Sequence, residues 1–171
     1  MSNTGSYNIT IERCTNANTS TTTLLEEMGV DFKLLVLKKD LVEANKNISR
    51  SLNIPLASYV YEIKRLLIVE GVPKAIETSF VPMKIIPGFQ TVDLENTSLY
   101  SILKEKYGIE IERSEEVITL EKATDIEKEL LQTEDDEVLA INGTSSDRRG
   151  IIVESYNTVT VSDFFVFKSE M

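Results

Sequence analysis

Histidine is missing from this 171-residue chain. Its absence removes imidazole metal ligands, Ser-His-Asp and Cys-His triads, and histidine as a general base. Cysteine occurs once, at Cys14, so an internal disulfide cannot form and zinc held by cysteines is excluded by count. No apolar run approaches the ~20 residues that span a bilayer. The opening residues Met1–Thr10 lack the charged and apolar regions of an export signal, which points to the cytoplasm and away from membranes. A glycine-rich phosphate loop is also missing, because Gly143-Thr144-Ser145-Ser146 is a turn signal without the Walker lysine spacing. Positive charge is in short supply: 18 Lys and Arg stand against 28 Asp and Glu, a net charge of −10. The basic residues are scattered, with only short pairs such as Lys38-Lys39 and Arg148-Arg149. Such a chain repels a phosphate backbone, so direct nucleic-acid binding by these residues is not expected.

What is present suits one folded domain. A chain of this length buries roughly 70% of its unfolded surface and needs no metal or disulfide staple. Hydrophobic residues make up 42% and charged residues 27%, an ordinary globular balance. Residues 1–22 are rich in Asn, Thr and Ser and read as a linker or arm, with Ile9 and Ile11 hinting at a short strand. The folded domain is expected over 23–171. A short helix around Leu24–Met28 ends at Gly29, and Phe32–Lys39 reads as a strand. Ala44, Ile48 and Leu52 lie on one face of an expected helix over Leu41–Leu52. Strands at Ala57–Val69 and Val72–Pro82 turn at Glu70-Gly71. Thr97 or Ser98 can cap a helix running to Tyr107, with Gly108 as its stop. Then come a strand at Ile109–Leu120, a helix at Ala123–Leu131, and strands at Val138–Ser145 and Ile151–Val161. Phe164–Lys168 is expected to close the sheet. The run Glu134-Asp135-Asp136-Glu137 reads as a solvated turn.

This order repeats itself. Strand, helix and hairpin occur near 34–82 and again near 117–161. Ala44 and Leu52 correspond to Ala123 and Leu131, 79 residues on, and Ile76-Glu77-Thr78 corresponds to Val153-Glu154-Ser155, 77 residues on. A duplicated unit of this kind predicts an α+β fold: one mostly antiparallel sheet flanked by helices, with equivalent residues facing each other across a pseudo-twofold axis.

Glu77 and Glu154 each interrupt an apolar strand at the same place in the repeat. Paired carboxylates can do acid–base work or hold hydroxyl and amine groups, although alternate strand positions facing water are commonly Glu. Arg65, on the preceding strand, offers a planar fork for carboxylate or phosphate, or a surface ion pair. A two-residue turn at Glu70-Gly71 sets it opposite Ile76, and one more residue sets it opposite Glu77. Ser98-Leu99-Tyr100 opens a helix whose free N–H groups favour anions, or serves as an ordinary cap. The hydroxyl run Thr19–Thr23 precedes another short helix.

Taken in order, these segments resemble the UTRA domain, the effector-binding half of HutC-subfamily GntR transcription regulators, which shares its fold with chorismate lyase. The resemblance spans roughly Thr22–Lys168. It rests on Thr22-Thr23-Leu24-Leu25-Glu26-Glu27-Met28, on Lys64-Arg65-Leu66-Leu67 with Gly71-Val72-Pro73 and Glu77, on Ser98-Leu99-Tyr100 with Tyr107-Gly108, and on Gly150 with Glu154. It implies that hydroxyls of the first helix start and of the Ser-Leu-Tyr segment, with arginines of an Arg-x-Arg strand, bind an anionic group. The two strand carboxylates would hold hydroxyl or amino groups. Carried over residue by residue, the effector-binding set is Thr23, Arg65, Glu77, Ser98, Tyr100 and Glu154. Two positions depart from the pattern. Leu67 replaces the second arginine, and Thr160 stands where an aromatic is frequent. Lys64 is no substitute, since neighbouring strand residues face opposite sides.

The resemblance implies a sensor, with a sugar phosphate or other small anionic metabolite as effector and no cofactor, metal site or catalytic residue. It also implies a homodimer that reaches DNA through a winged helix-turn-helix domain absent from this chain. The alternatives are a chorismate-lyase-like enzyme, with Arg65 clamping a carboxylate and Glu77 or Glu154 as acid, and a ligand-free oligomerisation domain.

Overall fold

The computed structural model describes residues 9–14 and 19–171. Among these residues eight strands and four helices follow one another as β1 (Ile11–Cys14), α1 (Thr21–Glu27), β2 (Phe32–Glu43), α2 (Lys46–Leu52), β3 (Tyr59–Val69), β4 (Val72–Pro82), α3 (Leu99–Tyr107), β5 (Ile111–Lys122), α4 (Asp125–Leu131), β6 (Glu137–Asp147), β7 (Ile152–Thr160) and β8 (Phe165–Lys168). Two single 3₁₀ turns, Met83–Ile85 and Phe89–Thr91, lie between β4 and α3. Six strands form one sheet in the order β2-β3-β4-β7-β6-β5, antiparallel throughout. The two repeats therefore meet at β4 and β7, where Glu77 pairs with Thr158 and Thr78 with Asn157. That junction is the expected pseudo-twofold axis, and the fold is the expected α+β class.

Two expectations are corrected. Phe164–Lys168 does not close the sheet: β8 runs parallel to β1 in a separate two-stranded ribbon, pairing Ile11 with Phe165 and Arg13 with Phe167. The helix read over Leu41–Leu52 begins only at Lys46. Leu41, Val42 and Glu43 stay extended because they pair with Tyr61, Val60 and Tyr59, and the Asn45 side chain caps the helix by accepting from the Ile48 N–H. Cross-strand pairing overrides the helical period there, while Ala44, Ile48 and Leu52 still pack together against Val60. Of the arm expected over 1–22, residues 1–8 and 15–18 lie outside the described residues. Within it, Ile11 is buried against Leu25, Leu34, Leu67 and Phe164.

Alternation along the strands assigns the two faces. Leu66 and Ile76 pack on α4 through Ala123 and Leu131, and Val60 packs on α2. The other face carries two separate cores. Tyr61, Ile63 and Val81 pack with Phe89, Leu94, Leu99 and Leu103 beneath α3 and the 3₁₀ turns. Leu67, Val69 and Ala75 pack with Ile11, Leu25 and Phe164 beneath α1, β1 and β8. Arg65 falls between Ile63 and Leu67 on β3. Glu77 and Ser79 fall between Ala75 and Val81 on β4. The polar residues therefore lie where the two cores part.

Candidate functional site

The turn at Glu70-Gly71 is a two-residue hairpin: Val69 pairs with Val72, and both turn residues have positive φ, 49° and 78°. This is the backbone that a tight antiparallel turn demands. By itself such a turn aligns Arg65 with Ile76. A bulge after Ile68↔Pro73 inserts Lys74 and shifts the register by one, so that Leu67 pairs with Ala75 and Arg65 with Glu77. The guanidinium and the carboxylate thereby come to share a face.

Arg65 is only 6% exposed. It donates to the Thr97 carbonyl at 2.7 Å and the Leu94 carbonyl at 3.2 Å, and its other terminal nitrogen lies 3.4 Å from Glu77 Oε2. It thus ties the sheet to the segment that leads into α3. Ser98 caps α3, its hydroxyl accepting from the Ser101 N–H, which leaves the first N–H groups of the helix without intrahelical acceptors. Tyr100, in the first turn of α3, bonds Ser145 of β6 at 2.6 Å, and Ser145 meets Ser114 of β5 at 3.1 Å.

Glu154 is 4% exposed. Its Oε1 accepts from the Ser79 hydroxyl at 2.6 Å, while Oε2 is buried with no hydrogen-bond partner. Burial pushes this carboxyl above its ordinary value near 4.5; the hydroxyls of Ser79, Tyr100 and Ser145 pull against that, and the Glu77 charge adds to it. Burial also drives the Tyr100 and Tyr156 phenols upward, so both stay neutral donors. Tyr156 lies across Gly143, its partner on β6. A Cβ at Gly143 would come within 2.4 Å of the Tyr156 ring, so the glycine makes room for the aromatic. The Tyr156 hydroxyl donates to Glu116 Oε1 at 2.6 Å, and Arg13 of β1 reaches the same oxygen at 3.0 Å.

One cavity of about 100 Å³ lies here, with walls from β1, the start of α1, the start of α3, and strands β3, β4, β5 and β7. It is smaller than the ~300–1,000 Å³ pockets of drug-sized ligands, and so suits a small metabolite or one polar end of a larger one. Arg65, Glu77, Ser98, Tyr100 and Glu154 all line it. Thr23 is not among its lining residues; its hydroxyl meets Ser20 Oγ at 2.8 Å, and Thr19, Ser20, Thr21 and Thr22 face the cavity instead. The cavity also takes in Arg13, Ser79, Ser114, Glu116, Tyr156 and Thr158, which sequence reasoning missed. Ser79, Tyr156 and Thr158 were accessible in principle, standing two or four residues from Glu77 or Glu154 on the same strand faces. Ser114 and Glu116 depend on pairing across the sheet, Arg13 on the separate pairing of β1 with β8, and none carries a local signal. Two arginines against three glutamates leave the lining with one more carboxylate than guanidinium. Among the described residues no cluster of His, Cys, Asp and Glu has the geometry to hold a metal ion.

A pH-dependent signature follows from Glu154. Between the ordinary carboxylate value and its own raised one, the native state holds a proton that the unfolded chain has released. Stability therefore falls as pH rises through that window. Glu154→Gln is expected to remove that slope and to be about 1–3 kcal/mol more stable than the parent at pH 8, with the gap closing toward pH 4. Urea unfolding at a series of pH values measures it, and parallel curves for the two proteins would show that Glu154 is solvated.

Fold and cavity together define a class: an α+β domain whose six-stranded antiparallel sheet is built from two repeats, with a polar, partly charged cleft where they meet. The particular family follows from comparison. The UTRA domain model matches residues 27–165, and the chain belongs to that family. An uncharacterized HTH-type transcriptional regulator of Bacillus subtilis, YurK, is 33% identical over 85 residues, covering 50% of this chain and 35% of its own length. The chain thus matches about a third of that relative. Among solved structures, the effector domain of PhnF from Mycobacterium smegmatis superposes with a TM-score of 0.85 at 21% identity, over 94% of this chain and 99% of that one. The C-terminal domain of YurK superposes at 0.73 with 23% identity, over 80% of this chain and 94% of that one. The fold is therefore that of regulator effector domains.

Proposed function

We propose that this chain is the effector-sensing domain of a GntR-family transcription regulator and works without catalysis. The observation that carries the reading is the convergence of Arg65, Glu77, Ser98, Tyr100 and Glu154, from separate segments, on one cavity at the repeat axis. Arg65, the hydroxyls and the free N–H groups of α3 suit an anionic group. Glu77 and Glu154 suit the hydroxyls or amine of the same molecule. A sugar phosphate or a comparable small anionic metabolite combines these features. In the intact regulator, a homodimer in the cytoplasm, DNA is held by a helix-turn-helix domain outside this chain. The ligand changes DNA affinity only by binding one arrangement of the dimer more tightly than another. No helix among the described residues is long and apolar enough to cross a membrane.

Thermal unfolding against a panel of amino-sugar phosphates, disaccharide phosphates, small carboxylates and fatty acids tests the reading. A ligand at a hundredfold excess over its Kd adds about 2.7 kcal/mol, a rise of roughly 5–10 °C at this chain length. The expected result is one class of hits that Glu77→Gln weakens. A flat panel, or hits indifferent to Glu77→Gln, would overturn the assignment of the cleft.

A further inference from the structure

The cleft has one feature that its repeat does not explain. Leu67, where the family pattern carries a second arginine, is fully buried among Ile11, Leu25 and Leu34 and cannot contribute charge. Yet a second guanidinium does line the cavity. It belongs to Arg13, on a strand outside the six-stranded sheet. We propose that Arg13 is the second cation of the anionic subsite, so that an anion in the cleft and the docking of β1 favour each other. This rests on the reading of the cleft as an effector site and adds to it a residue and a route of coupling.

Three observations support it. Arg13 is held in place from both sides: its guanidinium carbon sits 5.4 Å from the Phe165 ring centroid and 5.7 Å from that of Phe167, and one terminal nitrogen reaches Glu116 Oε1 at 3.0 Å. Glu116 is itself fixed by the Tyr156 hydroxyl. A guanidinium carries five N–H donors in a rigid fork, so the bond to Glu116 orients the group and leaves donors for a ligand. Second, Arg13 shares the cavity wall with Arg65, Ser98 and the hydroxyls of Thr19–Thr22, the parts suited to an anion. Third, apart from the Arg13–Glu116 contact, β1 is joined to the domain through the buried Ile11 and through pairing with a strand of only four residues. A short two-stranded ribbon is a weak attachment on its own, so a charged contact across the cleft shifts its docking measurably. Coupling between ligand and β1 docking is reciprocal by linkage.

Inorganic phosphate is the probe. Hydrogen–deuterium exchange is followed in the peptide spanning β1 and in the peptide spanning the start of α3, with and without phosphate, at constant ionic strength. The proposal expects phosphate to slow exchange in both peptides. Arg13→Gln is expected to bind phosphate roughly tenfold or more weakly, the loss of one charge-assisted contact. Arg148→Gln, an exposed cation outside the cavity, is expected to leave binding unchanged. Protection of α3 with β1 unaffected, or full binding by Arg13→Gln, would overturn the role of Arg13 and leave the cleft reading standing. Absence of protection in both peptides would overturn the anionic subsite itself. If Arg13→Gln fails to fold, the response of β1 in the parent protein still decides the matter.

Discussion

Arg65→Ala is expected to lower the unfolding free energy by about 3–5 kcal/mol, the usual loss when one partner of a buried charged pair is removed. Its guanidinium satisfies the Leu94 and Thr97 carbonyls and sits against Glu77. Truncation leaves all three acceptors without it at a position where the arginine itself was 6% exposed. Arg65→Lys recovers only part of the loss, because a single ammonium cannot occupy the two-sided geometry of the fork. A double variant with Glu77→Gln discriminates a charge effect from a packing effect. If the pair is coupled, Glu77→Gln costs less in the Arg65→Ala background than in the parent, by about 0.5–3 kcal/mol. Denaturant unfolding of the four proteins measures this. A loss below about 1 kcal/mol for Arg65→Ala would mean that water replaces the guanidinium and that the site is open. Because the same nitrogens hold the approach to α3, ligand-induced stabilisation is expected to vanish in any Arg65→Ala protein that folds.

Phe89→Ala is expected to cost a similar amount, about 3–5 kcal/mol, or roughly 6–20 °C in midpoint at this chain length. Phe89 is fully buried, with its ring centroid 5.1 Å from that of Tyr61 and 6.3 Å from that of Tyr107. It joins β3 to the far end of α3 through the core that also contains Leu94 and Leu99. The Lys39 ammonium lies 5.6 Å from the same ring centroid and donates to the Val92 carbonyl at 2.6 Å. Loss of the ring therefore loosens the very segment that supplies Leu94, Thr97 and Ser98 to the cleft. Phe89→Leu keeps most of the volume and is expected to lose much less. Calorimetric midpoints of the two variants are the check. Equal losses would point to the aromatic contacts, and a negligible loss for Phe89→Ala would show that the 3₁₀ turns collapse onto the space.

Much of this architecture was legible in the chain. The hairpin at Glu70-Gly71 is readable because few sequences tolerate two successive positive φ angles. The start and stop of α3 are readable because Ser98 and Gly108 satisfy groups that the helix leaves open. The equivalence of Glu77 and Glu154 is readable because each repeat presents the same local alternation. The helix read from Leu41 was misplaced because its apolar spacing fits an amphipathic helix and a half-buried strand nearly as well over so few residues. Only the pairing with Tyr59–Tyr61 resolved it.

By itself, then, the sequence determined which strands and helices form, that they form twice, and which strand positions carry charge among apolar neighbours. These are properties of short windows, set by backbone sterics and by the period of burial. The tertiary structure decided which of those charges meet. The bulge at Lys74 aligned Arg65 with Glu77 where the turn alone would not. The pairing of β5 with β6 carried Ser114 and Glu116 to the cleft. The ribbon of β1 with β8 delivered Arg13 to it from more than fifty residues before Arg65. Register across a sheet is a cooperative property of all its strands, and a one-residue slip sends a side chain to the opposite face. A cleft assembled from five strands and two helix starts is therefore settled only when the whole sheet is.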